Sequence, residues 1–158
     1  MLKKRIIPVL LLSGNRTVKG KNFKDYIVTG NPTSQVKIYS SQHTDEIIFI
    51  DIDASSKSKQ TLKDTIRIAS KESHMPFTAG GGIKKLDDIY EILAEGADKV
   101  IINTAAYYDR KLITDAVKTF GSQAIILGID YKLDKKDNKH YVWTHSGLKK
   151  TKIDPLKL

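Results

Sequence analysis

Five short runs of this chain are apolar at nearly every position, and a stretch with helical spacing separates each from the next. They are Arg5 to Leu12, Glu46 to Asp53, Pro76 to Ala79, Lys99 to Asn103 and Ala124 to Asp130. A strand without a polar face has to be covered on both sides, which is the situation of a parallel sheet under packed helices. The intervening segments supply those helices. One is opened by Pro32 and runs to about Gln42, and one covers Thr61 to Ser70 after a polar loop from Ser55 to Lys59. Another covers Leu86 to Ala94, and the last begins at Asp109 or Arg110 and ends near Phe120-Gly121. Ser13-Gly14-Asn15 is a turn signal. A charged, Asn-containing turn after Asp130 leads into a strand-like segment, His140 to His145. The expectation is an all-parallel α/β sheet.

Two architectures satisfy that pattern, a doubly wound sheet and a (βα)8 barrel. Polar residues recur where successive strands end, at Asp51 and Asp53, at Gly80 to Gly82, at Asn103 and at Asp130. Such recurrence suits a ring of loops around one site and favours the barrel. A complete barrel takes about 250 residues. The 158 residues here correspond to its first half plus one strand, a partial barrel over residues 1–158.

The absence of cysteine excludes disulfides, thiolate catalysis and Cys-based zinc sites. His43, His74, His140 and His145 have no repeated ligand spacing, so neither a metal nor another cofactor is expected. The apolar runs are too short to span a bilayer and the N-terminal residues do not read as a secretory h-region with a cleavage site, so a cytoplasmic protein away from membranes is expected. The formal charge of +9 fits phosphorylated small molecules or an acidic protein partner better than nucleic acid, because no basic patch is laced with aromatic residues.

Phe77 to Lys85 reads as a strand opening through three glycines into a helix. Gly81 and Gly82 can present bare backbone amides to a phosphate, with the positive end of the following helix behind them; the glycines can equally make a tight turn. One unit later, Asn103 and Thr104 offer side-chain hydrogen bonds to the same anion, or cap their own helix. Asp130 ends an apolar strand and is placed to move a proton, or to pair with a lysine. Asp51 and Asp53 alternate on the second strand and so share a face, where they can support the site, hold a loop or hold a metal.

Together, Lys4-Arg5-Ile6-Ile7-Pro8, Val18-Lys19-Gly20 with Asn22-Phe23, Gly80 to Ile83, Gly96 to Val100 with Ile102-Asn103, Phe120 to Gln123, and Tyr141 to Gly147 resemble the cyclase subunit of imidazole glycerol phosphate synthase. The resemblance implies a (βα)8 barrel that takes ammonia from a partner glutaminase and uses it on a phosphorylated precursor in histidine biosynthesis, as a lyase-type cyclase. It also implies roles for residues: Asp130 as a catalytic carboxylate and Lys19 on a mobile loop that closes over substrate. Gly82, Asn103 and Thr104 would be contacts to one of two phosphates. Arg5, Glu46 and Lys99 would belong to a charged ring at the ammonia entrance, and Asp98 would touch the glutaminase.

Two departures carry expectations of their own. Leu11 stands where the family has its second catalytic aspartate, and an apolar side chain cannot exchange a proton. This substitution, the run Leu10-Leu11-Leu12 and the segment Asp51 to Ser55 resemble a divergent branch that delivers ammonia to an acetamido sugar of bacterial surface polysaccharides. A catalytically silent partner of the glutaminase is the further alternative. The sequence also stops at Leu158, before the last three strands of the family, so likeness to the N-terminal part alone, a truncated product and self-association through an open barrel edge are expected.

Overall fold

The computed structural model describes residues 4–21, 23–53, 56–72 and 75–158. Asn22, His74, Ala54 and Ser55, which the sequence reading used, lie outside the described residues. Strands β1 (Val9–Ser13), β2 (Arg16–Lys21), β3 (Lys24–Gly30), β4 (Ile47–Asp51), β5 (Phe77–Gly80), β6 (Lys99–Ile102) and β7 (Ile125–Leu127) form one sheet in the order β3-β2-β1-β4-β5-β6-β7. The helices are α1 (Pro32–Ser41), α2 (Ser56–Glu72), α3 (Leu86–Ala94), α4 (Thr104–Tyr108) and α5 (Arg110–Phe120).

From β1 through β4, β5 and β6 to β7 the strands are parallel and lie side by side in chain order. A doubly wound fold would reverse that order at its centre, whereas a barrel does not. The fold is a partial (βα)8 barrel of four βα units and a fifth strand. The sheet is not all parallel, however. A two-residue turn at Gly14-Asn15, with Gly14 at φ 55°, folds β2 back antiparallel onto β1, and β3 follows as the edge. A second sheet, in the order β10-β9-β8, is built from β8 (Asp130–Asp134), β9 (Lys139–Thr144) and β10 (Lys149–Lys150).

Local chemistry sets the helix ends. Asn31 caps α1 by accepting from the Thr33 and Ser34 amides, with Pro32 next, and Asp109 caps α5 by accepting from Leu112 N. Helix α2 begins at Ser56, so the expected polar loop up to Lys59 is helical. Its buried residues Leu62, Thr65, Ile66 and Ala69 keep the i, i+3, i+4, i+7 spacing of one apolar stripe. That stripe and the apolar sides of α3 and α5 enclose Leu12, Ile47, Phe49, Phe77, Val100 and Ile102, and Phe49 stacks on Phe77 with ring centroids 5.0 Å apart. Each fully buried side chain of this size contributes about 1.5–3 kcal/mol. Among the described residues no helix is long and apolar enough to cross a membrane.

Residues on the other face of the sheet run in rows across the strands. Val9, Ile48, Thr78 and Lys99 are in register near the strand starts, and Leu11, Ile50, Gly80, Ile101 and Ile126 in the next row toward the strand ends. The two rows lead from one cluster of polar side chains to another.

Candidate functional site

At the strand starts, Glu46 is 2% exposed, yet it is the centre of a charge cluster. Its Oε2 accepts from Lys99 Nζ at 2.7 Å and from Arg5 Nη1 at 3.2 Å, while Oε1 accepts from Thr78 Oγ1 at 2.7 Å. Burial pushes the carboxyl upward, but the hydrogen bonds from Lys99 and Thr78 and the charges of Lys99 and Arg5 outweigh it and hold Glu46 below the usual carboxylate range. The structure therefore brings together Arg5, Glu46 and Lys99. Asp98 lies beside them and is exposed, with one oxygen accepting from Phe77 N at 2.7 Å, which pins the start of β5 to that of β6.

At the strand ends, Asn103 Nδ2 donates to Asp130 Oδ2 at 2.9 Å. Asn103 makes no side-chain cap on α4, so its carboxamide serves the carboxylate and the capping alternative falls away for it. Asp130 opens β8 instead of ending the fifth strand, because β7 stops at Leu127 and Gly128 to Ile129 carry the chain across. Thr104 Oγ1 accepts from the amide of His145, at 3.0 Å, in the turn between β9 and β10.

The glycine loop differs from its expected form. Three residues separate Gly82 from the first residue of α3, and the amides of Lys84 and Lys85 both donate to the buried Asp88, at 2.8 and 3.1 Å. Those groups at the helix entrance are already engaged by a carboxylate, so the helix does not stand directly behind the glycines. Gly81 has φ 127°, and a Cβ there would lie 2.4 Å from the Asp51 carbonyl oxygen. Close contact with the end of β4 thus requires a glycine at this position, independently of any ligand. Gly82 follows at φ 63° and half-exposed.

Asp51 is buried and accepts the Asp53 amide at 2.9 Å. Asp53 lies beyond the strand and is exposed, so the two do not share a strand face. Its carboxylate holds the β1–β2 turn through Gly14 N at 2.7 Å and the Ser13 hydroxyl. Of its earlier alternatives, the loop-holding one describes it.

Lys19, expected on a loop, is an exposed residue of β2 opposite Ile27. The tip of that hairpin reaches the β9–β10 turn: the Phe23 ring lies against Gly147, where a Cβ would be 2.4 Å from it. Lys132 Nζ lies 5.1 Å from the Phe23 ring centroid and 4.3 Å from that of Trp143, and donates to Gly147 O at 3.0 Å. Sequence reading missed Thr78, Lys132 and His145 as members of these clusters. Thr78 had a signal, since it stands two residues before Gly80 and so on the same strand face; the other two are joined only by the folding back of β9.

The family profile described as "Histidine biosynthesis protein" matches residues 5–158. The protein of Bacillus licheniformis named "Imidazole glycerol phosphate synthase subunit HisF" is 42% identical over 154 residues, 98% of this chain and 61% of that protein. Its namesake in Bacillus subtilis is 43% identical, over 96% of this chain and 60% of the relative, and that of Petrotoga mobilis 42% identical, over 98% and 61%. The chain spans about three fifths of the length of the curated relatives it matches. Six relatives at 40–43% identity carry this name. They correct the expected leaning toward the surface-polysaccharide branch, and the sequence segments Leu10 to Leu12 and Asp51 to Ser55 do not mark such a branch. The expectation of likeness to an N-terminal part alone is corrected as well, because the likeness runs through 96–99% of this chain.

Proposed function

Because this chain belongs to the histidine biosynthesis protein family, we propose that it is a cyclase-type subunit that accepts ammonia at its strand starts and acts on a phosphorylated substrate at its strand ends. The observation that carries the reading is the 2.9 Å bond from Asn103 to Asp130, which ties a proton-transfer carboxylate to the residue beside Thr104. Holding one oxygen of Asp130 fixes the direction of the other, as an acid–base group requires. Gly82, the second N–H of Asn103 and the Thr104 hydroxyl then offer donors to a phosphate. Lys19 supplies charge from the hairpin above. Asp51 supports the site by holding Asp53 and, through it, the turn that starts that hairpin.

Ammonia would enter past Arg5, Glu46 and Lys99, from a glutaminase seated against Asp98 and the strand starts. Arg5 is the most exposed of the three, at 60%, and is the arm that can swing aside while Lys99 keeps Glu46 paired. The relatives' name, a synthase subunit, supports a two-protein assembly.

Leu11 supports a second reading, a protein that binds the glutaminase and the phosphorylated ligand without turnover, since one carboxylate of the acid–base pair is replaced. Reconstitution with a cognate glutaminase decides between them. Ammonia-dependent turnover that Asp130→Asn abolishes supports the enzyme, and saturable binding without turnover supports the silent partner. Gly82→Asp tests the phosphate site in either case: it should weaken a phosphorylated ligand by blocking approach and adding charge, and unchanged affinity in titration calorimetry would remove the assignment.

A further inference from the structure

The turn between β9 and β10 carries three successive residues in the left-handed region, His145 at φ 55°, Ser146 at φ 54° and Gly147 at φ 73°. A side-chain-bearing residue seldom adopts that conformation, and two in a row persist only where the surroundings impose it. Here they do. The Leu148 amide donates to the Thr144 and His145 carbonyls at 3.1 and 3.2 Å, Lys132 Nζ donates to the Gly147 carbonyl, and the Phe23 ring occupies the space a side chain at Gly147 would need. His145 is held further by Thr144, whose hydroxyl lies 3.1 Å from its Nδ1, and by Tyr108, whose ring meets the imidazole edge-on at 5.8 Å. The product of this bracing is one contact across the site, the His145 amide donating to Thr104 Oγ1.

A threonine hydroxyl has one hydrogen to give and two lone pairs to receive. With the His145 N–H on its oxygen, Thr104 has a fixed acceptor side, and its own hydrogen is directed elsewhere. We propose that His145 is a positioning residue of the phosphate subsite: its strained backbone amide sets the Thr104 hydroxyl as an outward donor for a phosphate monoester. The inference rests on the reading of Gly82, Asn103 and Thr104 as that subsite and adds the element that orients it. When Thr104 donates to the anion, its oxygen becomes the better acceptor, so the His145 N–H bond strengthens in step.

That coupling is the readout. In the full chain labelled with 15N, titration with inorganic phosphate and with ribose 5-phosphate should move the His145 amide proton downfield with the same saturation curve that calorimetry gives for binding. Thr104→Val should weaken binding roughly tenfold or more and abolish the shift, and Thr104→Ser should restore both. His145→Pro removes the N–H and forbids the positive φ; Thr104→Val added to it should then cost almost nothing further. If phosphate binds with sensitivity to Gly82→Asp while the His145 amide does not respond and Thr104→Val binds like the parent, the positioning role is wrong and the subsite stands. If neither ligand binds, or binding ignores Gly82→Asp, both fall.

Discussion

On the helix side of the seven-stranded sheet, Leu12, Ile47, Phe49, Phe77, Val100 and Ile102 are each at most 4% exposed. On the opposite side Leu11, Ile50, Ile101 and Ile126, drawn from the same residue types, are only half-buried. The first face is closed by α2, α3 and α5 and holds the fold together. The second carries its polar groups at both ends, the Glu46 cluster at the strand starts and the Asn103–Asp130 pair at the strand ends. The difference shows that apolar surface on one strand serves two purposes, cohesion where a helix covers it and a lining between two polar clusters where none does.

Neighbouring residues on β1 give the sharpest way to break that comparison. Leu12 is 1% exposed, so Leu12→Asp buries a carboxylate without a partner and should cost more than about 4 kcal/mol, enough to unfold the chain. Leu11→Asp, one residue away, should cost about 1–2 kcal/mol, because its side chain reaches the open face. Denaturant unfolding of both variants measures the contrast, and equal losses would mean that the two faces have been misassigned. On β4, Phe49→Ala should cost about 3–5 kcal/mol through lost burial, cavity formation and the missing stack on Phe77. Ile50→Ala, on the half-buried side, should cost less than half of that by the same measurement.

The Glu46 cluster sits on the second face yet should behave like core. Glu46→Ala leaves Lys99 and Thr78 without their acceptor and should cost about 3 kcal/mol. The pH dependence has a definite sign. The folded carboxyl titrates below its ordinary value of 4.5, so the unfolded chain binds the proton first. The stabilisation is complete above about pH 4.5 and disappears as pH falls through the lower folded value. Unfolding curves between neutral and acid pH should show this loss in the parent and less of it in Glu46→Gln; identical acid limbs would place the effect elsewhere.

How far the sequence foretold this arrangement depended on whether the signal was local. Helices α1, α3 and α5 begin at Pro32, Leu86 and Arg110, near where caps and apolar spacing put them, since Asn31 and Asp109 act within three residues of themselves, whereas α2 begins five residues before Thr61 and α4 was not expected. Ser13-Gly14-Asn15 signalled a turn but not the antiparallel return of β2 that makes the sheet mixed, and β3 is exposed along nearly its whole length and so has no alternation to mark it. Asp130 was expected at a strand end because the apolar run before it continues to Ile129. In the structure β7 stops two residues earlier, and pairing with Trp143 draws Asp130 into the second sheet. That partner is 13 residues on, beyond the reach of any local pattern. Gly81 shows the opposite difficulty: its sequence context suggests a ligand, whereas contact with the Asp51 carbonyl already requires it.

The smallest effect tests the open face at its strand ends, beside the Asn103–Asp130 pair. Asp130→Asn keeps an oxygen that can accept from Asn103 Nδ2, and the site is half-buried, so unfolding free energy should change by less than about 1 kcal/mol. Amide orientation then becomes the only structural question, and the new carboxamide can present its carbonyl to Asn103 by a simple flip. Proton transfer has no such remedy, because a carboxamide does not exchange a proton in the neutral range. The variant should therefore keep its fold and its affinity for a phosphorylated ligand while losing any ammonia-dependent turnover the parent shows in complex with a glutaminase. A loss of about 3 kcal/mol or more, the scale expected of the Glu46 cluster, would instead make Asp130 a structural anchor, and the contrast between a cohesive strand start and the proposed acid–base group at the strand end would have to be given up.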